Sequence, residues 1–477
     1  MRPDIKKSLT VLVILSAFAF AAFNLLEHTI ESATIKAVPP WAVLPFVLLL
    51  AAIAIVPFIN RHWWEHNYPA VALLTGAAVA AYYIVGVDNV PRLLLTAEEY
   101  ICFISLIGSL FVVSGGIHLK LRGKAAPYEN ILLLGTGAII SNFLGTTGAS
   151  MLLIRPYLRI NKYRIRPFHV VFFIFIVSNI GGALTPIGDP PLFLGYLKGV
   201  PFFWVVTRVW HIWLLTTAIL LAIFFVIDTY YFRKAAKEVR AEAMHAEQTE
   251  VSGLHNLAFL GAILGAVFIQ KPVMLREVIM WGAAFASYYT TKREIHERND
   301  FNFIPIKEVG ILFAGIFATM IPALDWLELN AEALGIVTPG QYFWGTGTLS
   351  GFLDNAPTYL NFMSAAFGLH GASLDDYAHM QAMLGMATPG QLGLLNPLQA
   401  GALMIDAKSW YYVQAISVGA VFFGACTYIG NGPNFMVKSI AEQAKVHCPV
   451  FFGYIFRYTL PILIPVFLLV WFLFFRG

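Results

Sequence analysis

The feature that most limits this chain is a series of apolar runs, each about as long as a bilayer is thick. A helix needs ~20 mostly apolar residues to cross. Such runs lie near 8–26, 41–59, 68–87, 100–118, 168–188, 203–228, 254–270, 272–290, 305–323, 405–430 and 454–475. Only 12% of the 477 residues are charged and 58% are hydrophobic, where a soluble domain carries roughly 25% charge. The most polar stretches, Arg233 to Ser252 and Thr291 to Asn302, are too short to be domains. Composition therefore excludes a soluble enzyme or a nucleic-acid binder. Cys102, Cys426 and Cys448 are scattered, with no metal or disulfide spacing. Lys6 and Lys7 before the first run would suit a signal peptide, but the run is long and no small-residue cleavage site follows. Residues 1–40 are therefore read as an extra N-terminal helix that stays.

Two further apolar stretches, near 128–153 and 342–366, carry tight Gly/Thr or Asp-Asn-Ala-Pro interruptions. They read as re-entrant hairpins, and charge placement agrees. Lys and Arg are retained on the cytoplasmic side. With the N-terminus inside and the C-terminus outside, the clusters Lys120 to Lys124, Arg155 to Arg166, Arg233 to Arg240 and Lys292 to Arg298 all fall inside. A hairpin that crossed fully would turn 155–166 outward. The outer loops are then acidic: Glu98, Glu99, Asp325, Glu328, Glu332, Asp375 and Asp376. Arg208, Arg276 and Lys408 near outer span ends read as snorkelling side chains. His118 and His211 read as packing residues, and Asp375, Asp376 and His379 as a solvated loop.

The chain also repeats itself. Residues 182–191 and 424–433 both follow the pattern G-A-x-T-x-I-G-[D/N]-x-P. Ser141 to Leu144 resembles Ser350 to Leu353, and Ile107 to Phe111 resembles Val309 to Phe313, in the same order. Each half, 41–230 and 254–477, then holds five spans and one hairpin, with 231–253 as a cytoplasmic linker. Five is odd, so the second half enters from the opposite side. The expected fold is an all-α membrane protein: about 11 transmembrane helices plus two re-entrant hairpins, in two inverted-topology repeats. Such repeats are typical of secondary transporters.

The repeat retains helix breaks at 182–191 and 424–433, where glycines free the backbone and prolines remove donors. Exposed backbone polar groups at membrane depth are tolerated only where they line a cavity or meet a ligand. The hairpin tips, Gly145 to Ser150 and Asp354 to Thr358, supply hydroxyl, amide and carbonyl oxygens, which are hard donors suited to Na+. Asp189 and Asp354 are acids at membrane depth, where an ion or proton pathway is the default reading; caps or turn residues near the surface are the plainer alternatives. Asn142 and Asn179 suit either the site or helix–helix hydrogen bonds.

At these motifs the chain resembles the ion transporter superfamily, which includes NhaD-type sodium/proton antiporters, arsenite and citrate permeases and sodium–dicarboxylate symporters. Ser178 to Pro191 is similar to the first helix break of that group and Thr427 to Asn434 to the second. Lys307 to Phe317 looks like the subgroup labelled citrate transport or sodium:proton antiporter. The resemblance implies a dimeric scaffold and a transport part that moves in an elevator-like way. It implies ion- or substrate-binding roles for Asn142, Thr146, Thr147, Asn179, Gly182, Thr185 and Asp189 in one half, and Asp354, Asn355, Thr358, Thr427 and Asn431 in the other. Asn142, Asp189, Asp354 and Asn431 are the Na+ candidates. Neither subgroup fits cleanly: Pro190-Pro191-Leu192-Phe193 replaces the small run of the antiporters, and Asp354-Asn355-Ala356 stands where symporters carry Ser-Asn-Thr.

The expected function is sodium/proton antiport, with Na+ and H+ as coupling ions and no other cofactor. The alternative is sodium- or proton-coupled symport of citrate or another dicarboxylate. A channel and a membrane-embedded enzyme are distant alternatives. The expected location is a bacterial inner membrane, and the expected partners are the lipid bilayer, a small ion or carboxylate and a second copy of the chain.

Overall fold

The computed structural model describes residues 32–120, 125–235, 250–269, 271, 272, 274–388, 391, 395, 398 and 403–476. The first apolar run, 8–26, and most of the polar linker lie outside the described residues. Among the described residues, seven helices are long and apolar enough to cross a membrane. They are Pro40–Pro57, Arg61–Val85, Val90–Gly115, Pro127–Ile160, Phe202–Lys234, Ile304–Leu329 and Phe451–Phe475.

Pro127–Ile160 qualifies by length but does not run straight. Gly145 at its middle has φ 73° and ψ 156°, a conformation that favours glycine because it has no Cβ. Asn130 and Asn161, near the two ends, exchange side-chain hydrogen bonds of 2.9 and 2.8 Å. A straight helix would hold them about 46 Å apart at 1.5 Å per residue. The segment therefore folds back on itself, with its tip at Gly145. Pro339–Phe352 and Asn355–Leu369 make a second hairpin, turned at Leu353 and Asp354. Its arms are so close that a Cβ on Gly345 would lie 2.9 Å from the Phe362 ring. Thr338 and Gln341 form a capping box where its first arm begins, and the Asp354 carboxylate accepts from the Ala356 N–H where the second begins.

Several expected spans are shorter than read. The runs at 168–188, 254–270, 272–290 and 405–430 contain the helices Pro167–Ile176, Asn256–Ala266, Leu275–Thr290 and Trp410–Phe423. For the first and last, the reason is the break itself. Helix 167–176 stops well before Gly182, passes through one tight turn at Ile180–Gly182 and resumes at Pro190. The second break runs from Gly424 and resumes at Gly432. Proline at the first or second helical position restarts each helix, where a missing N–H costs nothing.

Two further departures concern the polar segments. Glu250–Ser252, at the end of the expected linker, pairs antiparallel with His118–Lys120, a small exception to an all-helical chain. His118 also sits 2.8 Å from the Asn299 side-chain oxygen. The acids read as outer-loop residues are partly internal. Glu99, Asp325 and Glu328 are buried. Arg92 binds Asp325 and Asp375, and Lys198 binds Glu99 and Asp375. Arg208 lies over the Trp410 ring, 4.0 Å from its centroid, and Arg276 pairs with Glu277 at 2.7 Å, so packing holds both.

Small residues let the long helices approach. A Cβ on Gly315 would meet the Ala72 carbonyl oxygen at 2.5 Å, and one on Gly76 would meet Ala318 at 3.2 Å. Close backbone contact of this kind replaces the hydrophobic drive that lipid cannot supply. The outward faces expose Leu44, Leu48, Ile55, Leu74 and Val85, a surface that a bilayer solvates and water does not. Asn142, Asn179, Asp189, Asn355 and Asn431 lie inside the packed interior instead, each buried.

Candidate functional site

Both breaks are tied to the hairpin that precedes them in the chain. The Thr185 hydroxyl donates to the Asn142 carbonyl at 2.6 Å and accepts from the Gly188 N–H at 3.0 Å. The Thr427 hydroxyl donates to the Gly351 carbonyl at 2.6 Å and accepts from the Gly430 N–H at 3.1 Å. Ser141 reaches the Val177 carbonyl, and Ser350 the Ala420 carbonyl. The two threonines therefore spend their hydroxyls on holding unwound backbone. The glycines make the close approach sterically feasible: a Cβ on Gly188 would stand 2.1 Å from the Gly182 carbonyl oxygen, and one on Gly182 would stand 2.5 Å from Thr146.

Asp189 is the meeting point. It sits directly before the helix Pro190–Leu197 and is 1% exposed. One carboxylate oxygen accepts from the Thr146 hydroxyl at 2.8 Å and from the Asn431 amide at 2.9 Å. The other accepts from the Asn355 amide at 2.6 Å. Thr146 belongs to the first hairpin tip, Asn355 to the second and Asn431 to the second break. Three separated parts of the chain thus converge on an acid carried by a fourth. Among the described residues, no Lys, Arg or His forms an ion pair with it. The backbone supports the same arrangement, since the Thr146 N–H donates to the Gly188 carbonyl at 2.8 Å.

The remaining sequence candidates fall into two groups. Asn179 is in contact with the cluster, its side-chain oxygen accepting from the Asn431 amide at 3.2 Å. Thr147 lines a cavity of about 30 Å³ beside Asp189, together with Gly145, Thr146 and Gly188. Asn142 is turned to bracing: its amide donates to the Gly181 carbonyl at 2.7 Å and its oxygen accepts from the Leu184 N–H at 2.9 Å. Asp354 caps its helix and Thr358 donates to the Asp354 carbonyl at 2.9 Å; among the described residues the partners of the Asp189 carboxylate are Thr146, Asn355 and Asn431 instead. The side-chain oxygen of Asn355 is buried and has no hydrogen-bond partner among the described residues.

Sequence reading passed over Asn434. It is fully buried. Its amide donates to the Gly424 and Thr427 carbonyls at 2.7 and 2.8 Å, and its oxygen accepts from Asn179 at 2.6 Å. A polar residue in the first turn of the helix resuming after a break was the available signal. The Ser150–Ser178 contact of 2.8 Å, which joins the first hairpin to the first break, was passed over as well.

Chemically, the arrangement offers one buried carboxylate, neutral donors and neutral oxygens. An ionised acid at this depth is costly without a partner. A cation or a proton would each relieve that cost.

A family model described as "Putative citrate transport" matches residues 35–475. Among curated proteins, a 46 kDa membrane protein of Mycobacterium leprae (strain TN) is 24% identical over 401 residues. The match spans 78% of this chain and 86% of that protein.

Proposed function

Because the chain belongs to the citrate-transport family, and is on that ground an integral membrane transporter, we propose that it exchanges Na+ for H+ at Asp189. The observation that carries this reading is the Asp189 carboxylate itself, buried and held by three neutral donors, with no basic side chain paired to it among the described residues. Ionised, it attracts Na+; protonated, it releases it. One group then serves both ions in turn. The Thr146 and Thr147 hydroxyls and the unpartnered oxygen of Asn355 are the neutral ligands we assign to the cation, with Asp354 as a second acid nearby. The hairpins and broken helices carry the site as a unit against the long helices, in an elevator-like cycle between two inverted halves.

Cavity size supports an ion over a larger cargo. The space beside Asp189 is about 30 Å³, whereas small-molecule sites are typically ~300–1,000 Å³. The family name supports the second reading, sodium-coupled uptake of citrate or another carboxylate. Proteoliposomes separate the two. Antiport predicts sodium-dependent proton movement, read by a pH-sensitive dye, with no uptake of labelled citrate. Sodium-driven citrate or succinate accumulation without proton exchange would replace the first reading with the second.

A further inference from the structure

Away from Asp189, three parts of the chain meet around a cavity of about 640 Å³, a size typical of small-molecule sites, ~300–1,000 Å³. The two ends of the second hairpin reach it through Pro339 and His370, the approach to the helix Trp410–Phe423 through Lys408 and Tyr411, and the end of the last span through Phe472 and Arg476. Lys408 and Arg476 set its charge. Both are exposed, and neither forms an ion pair among the described residues. Arg476 lies over the Phe472 ring, 4.9 Å from its centroid, which holds the guanidinium at the cavity wall. The acid among the described lining residues is Asp406. It accepts from the Lys408 backbone N–H at 2.8 Å and from the Ser409 hydroxyl at 3.1 Å, so one of its oxygens is committed to its own turn. Two basic groups against one acid leave the lining net positive, with His370 counted neutral. Arg208 and Arg276, also near span ends, are held by a ring and by an acid; Lys408 has neither. Snorkelling explains a basic side chain at a span end, but it needs no cavity.

The cavity opens where lipid is. Phe452, Phe456, Leu460, Leu468 and Phe472 are exposed and share one face of the helix Phe451–Phe475. Their spacing makes an apolar stripe along the span, and Phe472 belongs to both the stripe and the cavity. We propose that the cavity is a binding site for an anionic phospholipid, its phosphate held by Lys408 and Arg476 and an acyl chain lying along the stripe. Basic pockets between spans hold anionic headgroups in this way, and Tyr411 stands where interfacial aromatics belong. A soluble anion would satisfy the two cations but leave the stripe unused, which favours the lipid. The hairpin base already packs against the end of the last span, since a Cβ on Gly340 would stand 2.4 Å from the Phe475 carbonyl oxygen. A lipid seated beside that contact joins the two elements, and binding should therefore raise the melting temperature.

The test uses the purified, full-length protein, delipidated in detergent, with dioleoyl phosphatidylglycerol as the probe and dioleoyl phosphatidylcholine as the zwitterionic control. Native mass spectrometry counts bound lipid, and thermal melts read its effect. Phosphatidylglycerol should bind and raise the melting temperature, and phosphatidylcholine should do neither. Lys408→Gln and Arg476→Gln should each weaken binding about fivefold, the effect of one basic residue near an anionic surface, and the double variant about 25-fold. Arg61→Gln, which removes an exposed charge at another span end, should bind like wild type. Should the double variant fail to fold, Lys408→Gln, at an exposed position, still decides the matter. Equal binding by wild type and the folded Lys408 and Arg476 variants, or equal binding of the two lipids, overturns the proposal. Displacement of phosphatidylglycerol by inorganic phosphate or citrate, with the same rise in melting temperature, overturns the lipid and assigns the cavity to a soluble anion. None of these readouts involves transport at Asp189, so the antiport reading and this one stand or fail separately.

Discussion

Two sets of buried acids in this protein are treated in opposite ways. Asp325 receives the Arg92 guanidinium at 2.8 Å and the Tyr83 hydroxyl at 2.8 Å. Asp375 is shared between Arg92 and Lys198, and Glu99 meets Lys198 at 2.6 Å. This network joins the helices Val90–Gly115 and Ile304–Leu329 to the end of Pro190–Leu197 and to the loop after the second hairpin. Asp189, equally buried, has only a hydroxyl and two amides. A carboxylate with a fixed counter-charge has no further use for a mobile cation. One held only by neutral donors still attracts one. On the antiport reading proposed above, this difference separates an acid that holds the fold from one that exchanges ions, although Asp325 and Asp189 are both buried.

The largest effect should come from Asp189→Asn. The amide keeps the shape and removes the charge, so exchange should fall to background while folded yield is maintained. Proteoliposome transport at matched expression measures this. Wild-type rates with a wild-type pH profile would move the role away from Asp189.

Arg92→Leu should give the opposite signature. It strands Asp325, while Asp375 keeps Lys198, and breaking a buried ion pair costs about 3–5 kcal/mol. Folded yield and thermal midpoint should drop sharply. Adding Asp325→Asn should recover part of the loss. An Arg92→Leu protein as stable as wild type would show that the network holds nothing together.

Gly188→Ala tests the geometry rather than the charge. Its Cβ would lie 2.1 Å from the Gly182 carbonyl oxygen, and overpacking of this kind costs about 1–3 kcal/mol. Transport should suffer more than stability, because the displaced backbone carries the Thr146 N–H contact beside Asp189. Gly432→Ala, where a Cβ meets nothing within 4 Å, is the matched control and should leave rate and melting temperature near wild type.

The smallest effect concerns pH. Burial works against the Asp375 charge, but Arg92 and Lys198 outweigh it and hold its carboxyl well below the usual carboxylate range. Its contribution to stability is therefore fully present above the unfolded value, about 4, and is lost only as pH falls toward the lower folded value. Asp375→Asn should lower the melting temperature at pH 7 and flatten its decline below about pH 4. Thermal melts across that range provide the measurement.

Much of this was written locally and could be read from the chain. The apolar runs follow from the ~20-residue requirement of a bilayer, and the unwound segments follow from Gly182, Pro186, Gly188 and Pro190 and from Gly424, Gly430 and Pro433. Gly145 marked a hairpin tip because it suits a backbone that side chains disfavour. Helix ends were less legible. Helix 167–176 stops several residues before Gly182, and the carbonyl of Val177 just past its end accepts from Ser141 of the first hairpin, a contact that composition does not show.

What the sequence by itself determined is the local menu: which segments suit lipid, where helices must break and which acids lie at membrane depth. Only the tertiary structure decided that Asp189 meets neutral donors whereas Asp325 meets a guanidinium. Asp189 and Asn355 are 166 residues apart, Asn431 and Asp189 are 242 apart, and Arg92 and Asp325 are 233 apart. Periodicity and propensity act over a few residues, whereas electrostatic neutralisation depends on distance in space. Whether a buried carboxylate meets a guanidinium or an amide is therefore settled by packing alone.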